Sequence, residues 1–188
     1  MLILLIVLII TGLVATNIVL GRYEPLANGS VFGVDGASFR RVSAYSDQDA
    51  AIFRFRDGNV ATVKFGLRNE GRWPVRVERL LQPYEFDTDM QFPMQPTKVL
   101  SGPLITEVKV ITPPVSAYRS FQPFTLEPGE ERLMAIQFRF EDCRNLSDGD
   151  AFFKRGYSVR YSTLWVTNEM DVPFPYNLVV EGPADCKG

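Results

Sequence analysis

Two hydrophobic patterns divide this chain. Met1 to Leu20 carry no charged side chain, and a helix over twenty residues is about 30 Å long, matching the hydrocarbon thickness of a bilayer. The pattern predicts one transmembrane helix over 1–20. From Asn28 onward apolar residues recur with period 2 in short stretches broken by Gly, Pro, Asn and Asp, which predicts an all-β domain. In Val60 to Asn69, Ala61, Val63, Phe65 and Leu67 share one face, and Thr62, Lys64, Gly66 and Arg68 the other. Met134, Ile136, Phe138 and Phe140 face away from Gln137 and Arg139 in the same manner.

Turn chemistry supports the alternation. Asp57-Gly58, between Ile52–Arg56 and Asn59–Asn69, predicts a type I′ hairpin. Glu127-Pro128-Gly129-Glu130 predicts a type II turn, with Pro fixing φ and Gly left-handed. Further strands are expected at Ser38–Ala44, Trp73–Leu81, Ile105–Ile111, Ala117–Leu126, Tyr157–Val166 and Val172–Val180, about nine in all. That number of short antiparallel strands implies a two-sheet, immunoglobulin-like sandwich over 30–188, joined to the helix by a short linker at 21–29.

The apolar segment reads as a retained anchor. A cleaved signal needs a basic leader and a small-x-small cleavage site, and Ala15-Thr16-Asn17 supplies no such site. Gly12-x-x-x-Thr16 with Asn17 forms a candidate helix-packing motif; alternatively, Asn17 marks the headgroup end of the span. Arg22, Arg40 and Arg41 beside the span would by the positive-inside rule hold the domain in the cytoplasm, although folded domains cross largely regardless of so few charges. The two cysteines, Cys143 and Cys186, point the other way, since an even pair in an exported chain is normally a disulfide. They predict an extracytoplasmic domain whose last strand is pinned by that bond.

Composition narrows the function classes. With 20 basic against 22 acidic residues and a net charge of −2, no basic face for nucleic acid is implied. The chain has no His, which removes the commonest general base and the commonest metal ligand. Nucleophile elbow, zinc-protease helix, phosphate loop and CxxC motifs are all missing, so no catalytic residue, metal site or cofactor is assigned. Glu85, Asp87 and Asp89, and Glu141, Asp142, Asp148 and Asp150, are acidic groups that read as solvated loops rather than a Ca²⁺ site, because neither spacing follows the EF-hand pattern. Asn28-Gly29-Ser30 and Asn145-Leu146-Ser147 match the glycosylation tripeptide.

The longest irregular connection, Gln82 to Thr97, carries Pro83, Pro93 and Pro96 with Tyr84, Phe86, Met90, Phe92 and Met94. These apolar side chains are the candidate partner-binding loop, or else fold back to cap the sandwich. Trp165 shares a strand face with Tyr157, Val159, Tyr161 and Thr163 and is assigned to packing; Trp73 precedes Pro74 in a turn.

Several segments taken together resemble a loose set of uncharacterised actinobacterial single-span membrane proteins. They are Phe65-Gly66-Leu67-Arg68-Asn69-Glu70-Gly71 with Trp73-Pro74-Val75, the run from Phe121 to Gly129, Cys143, Val159-Arg160-Tyr161 and Pro183-x-x-Cys186. The resemblance spans about Val60 to Cys186 and implies an immunoglobulin-like extracytoplasmic domain. It brings no functional residues with it, and this chain departs from the pattern in lacking a basic N-terminus. The function expected is a membrane-anchored, non-enzymatic module that touches the lipid bilayer and a protein partner; the alternative is a carbohydrate- or ligand-binding module, which would show an exposed aromatic pair.

Overall fold

A computed structural model of the chain describes residues 2–36, 38–41, 49–81, 94–105, 113–141 and 151–182. The helix α1 (Leu2–Gly21) is followed by β1 (Leu26–Asp35), β2 (Ser38–Arg41), β3 (Asp49–Arg54), β4 (Val60–Asn69), β5 (Val75–Leu81) and β6 (Met94–Ile105). A single 3-10 turn (Val115–Ala117) then leads to β7 (Arg119–Ser120), β8 (Phe124–Leu126), β9 (Glu131–Phe140), β10 (Ala151–Thr163) and β11 (Val166–Glu181).

The strands form two sheets, ordered β1-β4-β9-β6-β7 and β2-β3-β11-β10-β5-β8. The first has the A-B-E-D connectivity of an immunoglobulin sandwich and the second contains its G-F-C core. β3 lies parallel to β11, and every other pairing is antiparallel. The all-β, immunoglobulin-like sandwich with one N-terminal apolar helix is thus the observed fold, with eleven strands among the described residues where about nine were expected.

The core lies where the two sheets face each other. Ala61, Val63, Phe65 and Leu67 of β4 are buried, as are Met134, Ile136, Phe138 and Phe140 of β9, so both predicted apolar faces point inward. Opposite them stand Tyr157, Val159 and Tyr161 of β10 with Val75 and Val77 of β5. The Phe65 ring sits 4.3 Å from that of Tyr157 and 5.7 Å from that of Phe174. The polar face of β4 is covered too. Thr62 and Lys64 are buried, and Lys64 Nζ reaches Asp35 Oδ2 at 2.9 Å. Alongside, Leu100, Tyr118, Leu133 and Ala135 form a second small apolar cluster on the outer face of this sheet.

Four expectations are corrected. Asp57-Gly58 does not close a hairpin, because β3 and β4 belong to different sheets; the turn is a corner between layers. Gly58 alone is left-handed (φ 77°) and Asn59 N–H donates to Arg56 C=O at 3.1 Å, the type II pattern rather than I′. The linker over 21–29 is shorter than expected, since α1 runs to Gly21 and β1 begins at Leu26. The loop over 82–97 ends early, with Met94 already in β6; register shifts at Pro96/Lys98 and Ser101/Leu104 show how this strand accommodates its prolines. The strand expected over Ile105–Ile111 is instead the end of β6 at Ile105, and residues 106–112 lie outside the described residues. Glu127–Glu130 is the type II turn expected, with Gly129 at φ 82°.

The start of β1 has a particular cause. Its register shifts between Asn28 and Phe32, and at this bulge the buried Glu131 carboxylate accepts from Ser30 N–H at 2.7 Å. Gly29 and Gly66 make room for it: a Cβ on either would overlap Glu131 Oε1, and one on Gly66 would also come within 3.0 Å of Gly29 Cα. Gly66→Ala should therefore lower stability by about 1–3 kcal/mol through overpacking, read as a lowered melting temperature, with part of the loss recovered when Glu131→Ala is added.

Candidate functional site: the end of the domain that seats the helix

The last turn of α1 is built into the sandwich. From Ile3 to Val19 its large apolar side chains stand exposed, whereas Leu20 is buried. At the helix end Leu20 C=O accepts from Tyr23 N–H at 3.2 Å in the closing turn, and Asn168 Nδ2 of β11 donates to it at 2.7 Å. Across the rung from Asn168 stands Tyr161, whose hydroxyl donates to Tyr23 C=O. Tyr23 in turn accepts at its own hydroxyl from Arg72 N–H at 2.6 Å and packs edge-on against Trp73 at 5.1 Å. Pro25, buried, accepts from Glu70 N–H at 2.8 Å before β1 begins.

Asn69 organises the floor of this seat. Fully buried, it donates from Nδ2 to Trp73 C=O and Leu126 C=O, both at 2.9 Å, and accepts at Oδ1 from Gly71 N–H at 2.9 Å. Its backbone accepts from Gly129 N–H at 2.7 Å and donates to Glu130 C=O at 2.9 Å. The Asn69-Glu70-Gly71 and Leu126-Glu-Pro-Gly129 elements, separate turns in the sequence, are one hydrogen-bonded knot.

The same end carries the chain's two tryptophans. Trp73 precedes β5 and is 38% exposed, while Trp165 follows β10 and is 60% exposed. Arg76 pairs with Ser162 in adjacent strands, so both tryptophans stand at the same end of the sheet. The strand-face assignment is correct for Tyr157, Val159, Tyr161 and Thr163, all buried, but not for Trp165. Thr163 pairs directly with Val166, which makes Leu164-Trp165 a two-residue hairpin tip. Leu164 has φ 55°, the single left-handed non-glycine among the described residues, and is itself 56% exposed.

Three tyrosines in the domain are held in the neutral form. Burial pushes Tyr157 well above the usual phenol value; burial with the nearby Asp35 charge raises Tyr118 to about 12; burial, then Glu24 and Tyr23, raises Tyr161 against an opposing hydrogen bond from Asn168. A raised folded value means the unfolded chain loses its proton first, so stability is intact below about pH 10 and falls as pH rises from there. Thermal melts across the alkaline range should show this loss beginning near pH 10, and tyrosinate absorbance of the folded protein should lag that of the unfolded chain. Deprotonated Tyr161 can no longer donate to Tyr23 C=O, so the helix seat loosens in the same range.

The other candidates are placed as follows. Thr16 Oγ1 donates to Gly12 C=O at 2.8 Å and Asn17 Nδ2 to Leu13 C=O at 2.9 Å, so these donors are satisfied within the helix, and Gly12 has open space around it. Tyr84, Phe86, Met90 and Phe92 lie outside the described residues, as do Cys143, Cys186, Asn145 and all the candidate acidic groups but Glu141. Met94 is in β6, and Glu141 lies 3.8 Å from Arg139. Asn28 is part of β1 and its Nδ2 donates to Pro173 C=O. Among the described residues no three His, Cys, Asp or Glu side chains gather as a metal site would require.

No family model matches the chain, and no curated protein matches it. Among solved structures, the ASH/PapD-like domain of human CEP192 (PapD-like domain 7) is similar at 11% identity and a TM-score of 0.33, over 80% of this chain and 87% of that one.

Proposed function

We propose that α1 is a retained membrane anchor and that the sandwich it carries is a non-enzymatic, protein-binding module, acting at the cell surface or as an accessory subunit of a membrane assembly. One observation carries this: an apolar helix exposed from Ile3 to Val19 is locked by Leu20 and Tyr23 into the folded domain. A helix apolar on all sides needs lipid or protein around it, and a segment destined for removal has no use for a seat made by the last two strands. The resemblance to single-span proteins agrees with this reading.

Purified in a gentle detergent, the intact chain should bring down one protein in stoichiometric amount. A chain that comes alone and retains a glycan instead would refute the proposal and favour the ligand-binding alternative. That alternative has one observation on its side, the exposed pair Trp73 and Trp165, but these stand at the end from which the anchor leaves.

The extracytoplasmic side is proposed on the cysteines. Ala151 and Glu181 form one rung of β10 and β11, and Cys143 precedes the first by eight residues while Cys186 follows the second by five. The start of β10 and the end of β11 are thus neighbours, and this with the even pair of cysteines is what supports a Cys143–Cys186 bond. Protein recovered from its native membrane should gain two hydrogens in mass on reduction and resist alkylation beforehand. Two free thiols would overturn both the bond and the orientation.

A further inference from the structure

We propose that the β10–β11 hairpin tip, Leu164-Trp165, together with Trp73, is a second membrane contact that inserts into the interfacial layer of the bilayer beside α1. The inference rests on the anchoring of α1 proposed above and goes beyond it, because an anchor needs no further apolar surface on the domain it carries.

The geometry leaves little distance between this tip and lipid. Because Leu20 is buried in the domain, the free helix runs from Ile3 to Val19, about 26 Å against a hydrocarbon layer of about 30 Å. A span slightly short of the layer draws its flanking residues into the interface. Asn168 holds Leu20 C=O, and Trp165 lies three residues further along the same hairpin, toward the end from which the helix leaves; that is roughly 10 Å of strand. With the helix end held against β11, the tip falls within reach of the headgroup layer that α1 enters.

The chemistry of the tip fits that depth. Two-residue hairpins ordinarily take Asn, Asp or Gly where φ is positive, and here Leu164 takes that strained position with its side chain exposed. Leucine and tryptophan at a turn cost stability in water and gain nothing from the core. Tryptophan favours the membrane-water boundary, where its ring is apolar and its N–H remains hydrated. The exposed charges around the seat are of both signs, Arg22, Arg72 and Arg76 with Glu24, Glu70 and Glu169, so the contact depends on apolar burial and not on anionic lipid.

The test uses the full chain in phosphatidylcholine vesicles, with Trp73→Phe so that only Trp165 emits, and with lipids brominated at graded depths. The expected result is blue-shifted Trp165 emission that loses most of its intensity to bromines near the headgroup end of the acyl chain and less to those near the bilayer centre. Adding anionic lipid should leave this unchanged. The reciprocal variant Trp165→Phe should show the same shallow quenching of Trp73. Emission as in water, unquenched at every depth while the chain resists alkaline carbonate extraction, overturns the second contact and leaves the anchor standing. Release of the chain by carbonate overturns the anchor and the inference with it. A double variant Leu164→Gly, Trp165→Asn, with glycine at the left-handed position and a polar turn residue after it, should melt no lower than the parent. A lower melting temperature would show that the tip is needed for folding and would overturn its assignment to lipid.

Discussion

Phe65→Ala is expected to be the most damaging single truncation in the domain, lowering stability by about 3–5 kcal/mol. Phe65 is fully buried in the central strand β4 and its ring meets Tyr157 and Phe174 of the opposite sheet. The truncation removes the transfer energy of the ring and leaves a cavity between layers whose backbones are fixed by neighbouring strands on both sides. For a domain of this size such a loss lowers the melting temperature by about 6–20 °C. Thermal melts in mild detergent would measure it, with Phe65→Leu as the smaller control. A shift of only a degree or two would mean that the sheets close over the gap and that the aromatic contact contributes little.

The second large effect is at Asn69. Asn69→Ala removes three side-chain hydrogen bonds, two of them donated to carbonyl groups that the turns hold in place. At about 1 kcal/mol each, with an added penalty for leaving Leu126 C=O buried and unpaired, the loss is roughly 2–4 kcal/mol. Unlike the core truncation it should act locally. Hydrogen exchange should quicken at residues 70–73 and 127–130, with Phe65 and Tyr157 still protected, because the backbone pairs between Asn69 and the Gly129-Glu130 turn need no side chain. Asn69→Asp should do no better, since it retains the acceptor for Gly71 but turns a carboxylate toward two carbonyls. Uniform exchange across the domain in Asn69→Ala would sink the idea of a local knot.

What was legible in the sequence was whatever repeats with a period. The inward faces of β4 and β9 came directly from alternation, and the apolar helix from the absence of charge. The errors fall where two local signals conflict with a longer-range one. Asn28-Gly29 falls in the expected linker over 21–29, yet it lies in β1, where the bulge accommodates the Glu131 carboxylate from a strand some hundred residues away. Asp57-Gly58 does turn, but which strand it turns into is decided by β11 pairing with β3, which no local pattern encodes. Most instructive is Leu164-Trp165, where no Gly, Asn, Asp or Pro marks the turn, so the alternation of Tyr157 to Val166 runs straight through it. The absence of turn chemistry at a real turn is itself the signal, because apolar residues kept at a strained tip imply a use outside the domain.

The two bonds that grip the helix end join residues 148 and 138 positions apart. A ribosome delivers α1 well over a hundred residues before the hairpin bearing Tyr161 and Asn168, so until that hairpin emerges the helix has no seat to enter. Docking is consequently a late event in maturation, and truncated chains that stop before Asn168 would leave the helix attached to an unfinished domain by a free joint. Folding of that hairpin changes the joint into a fixed one.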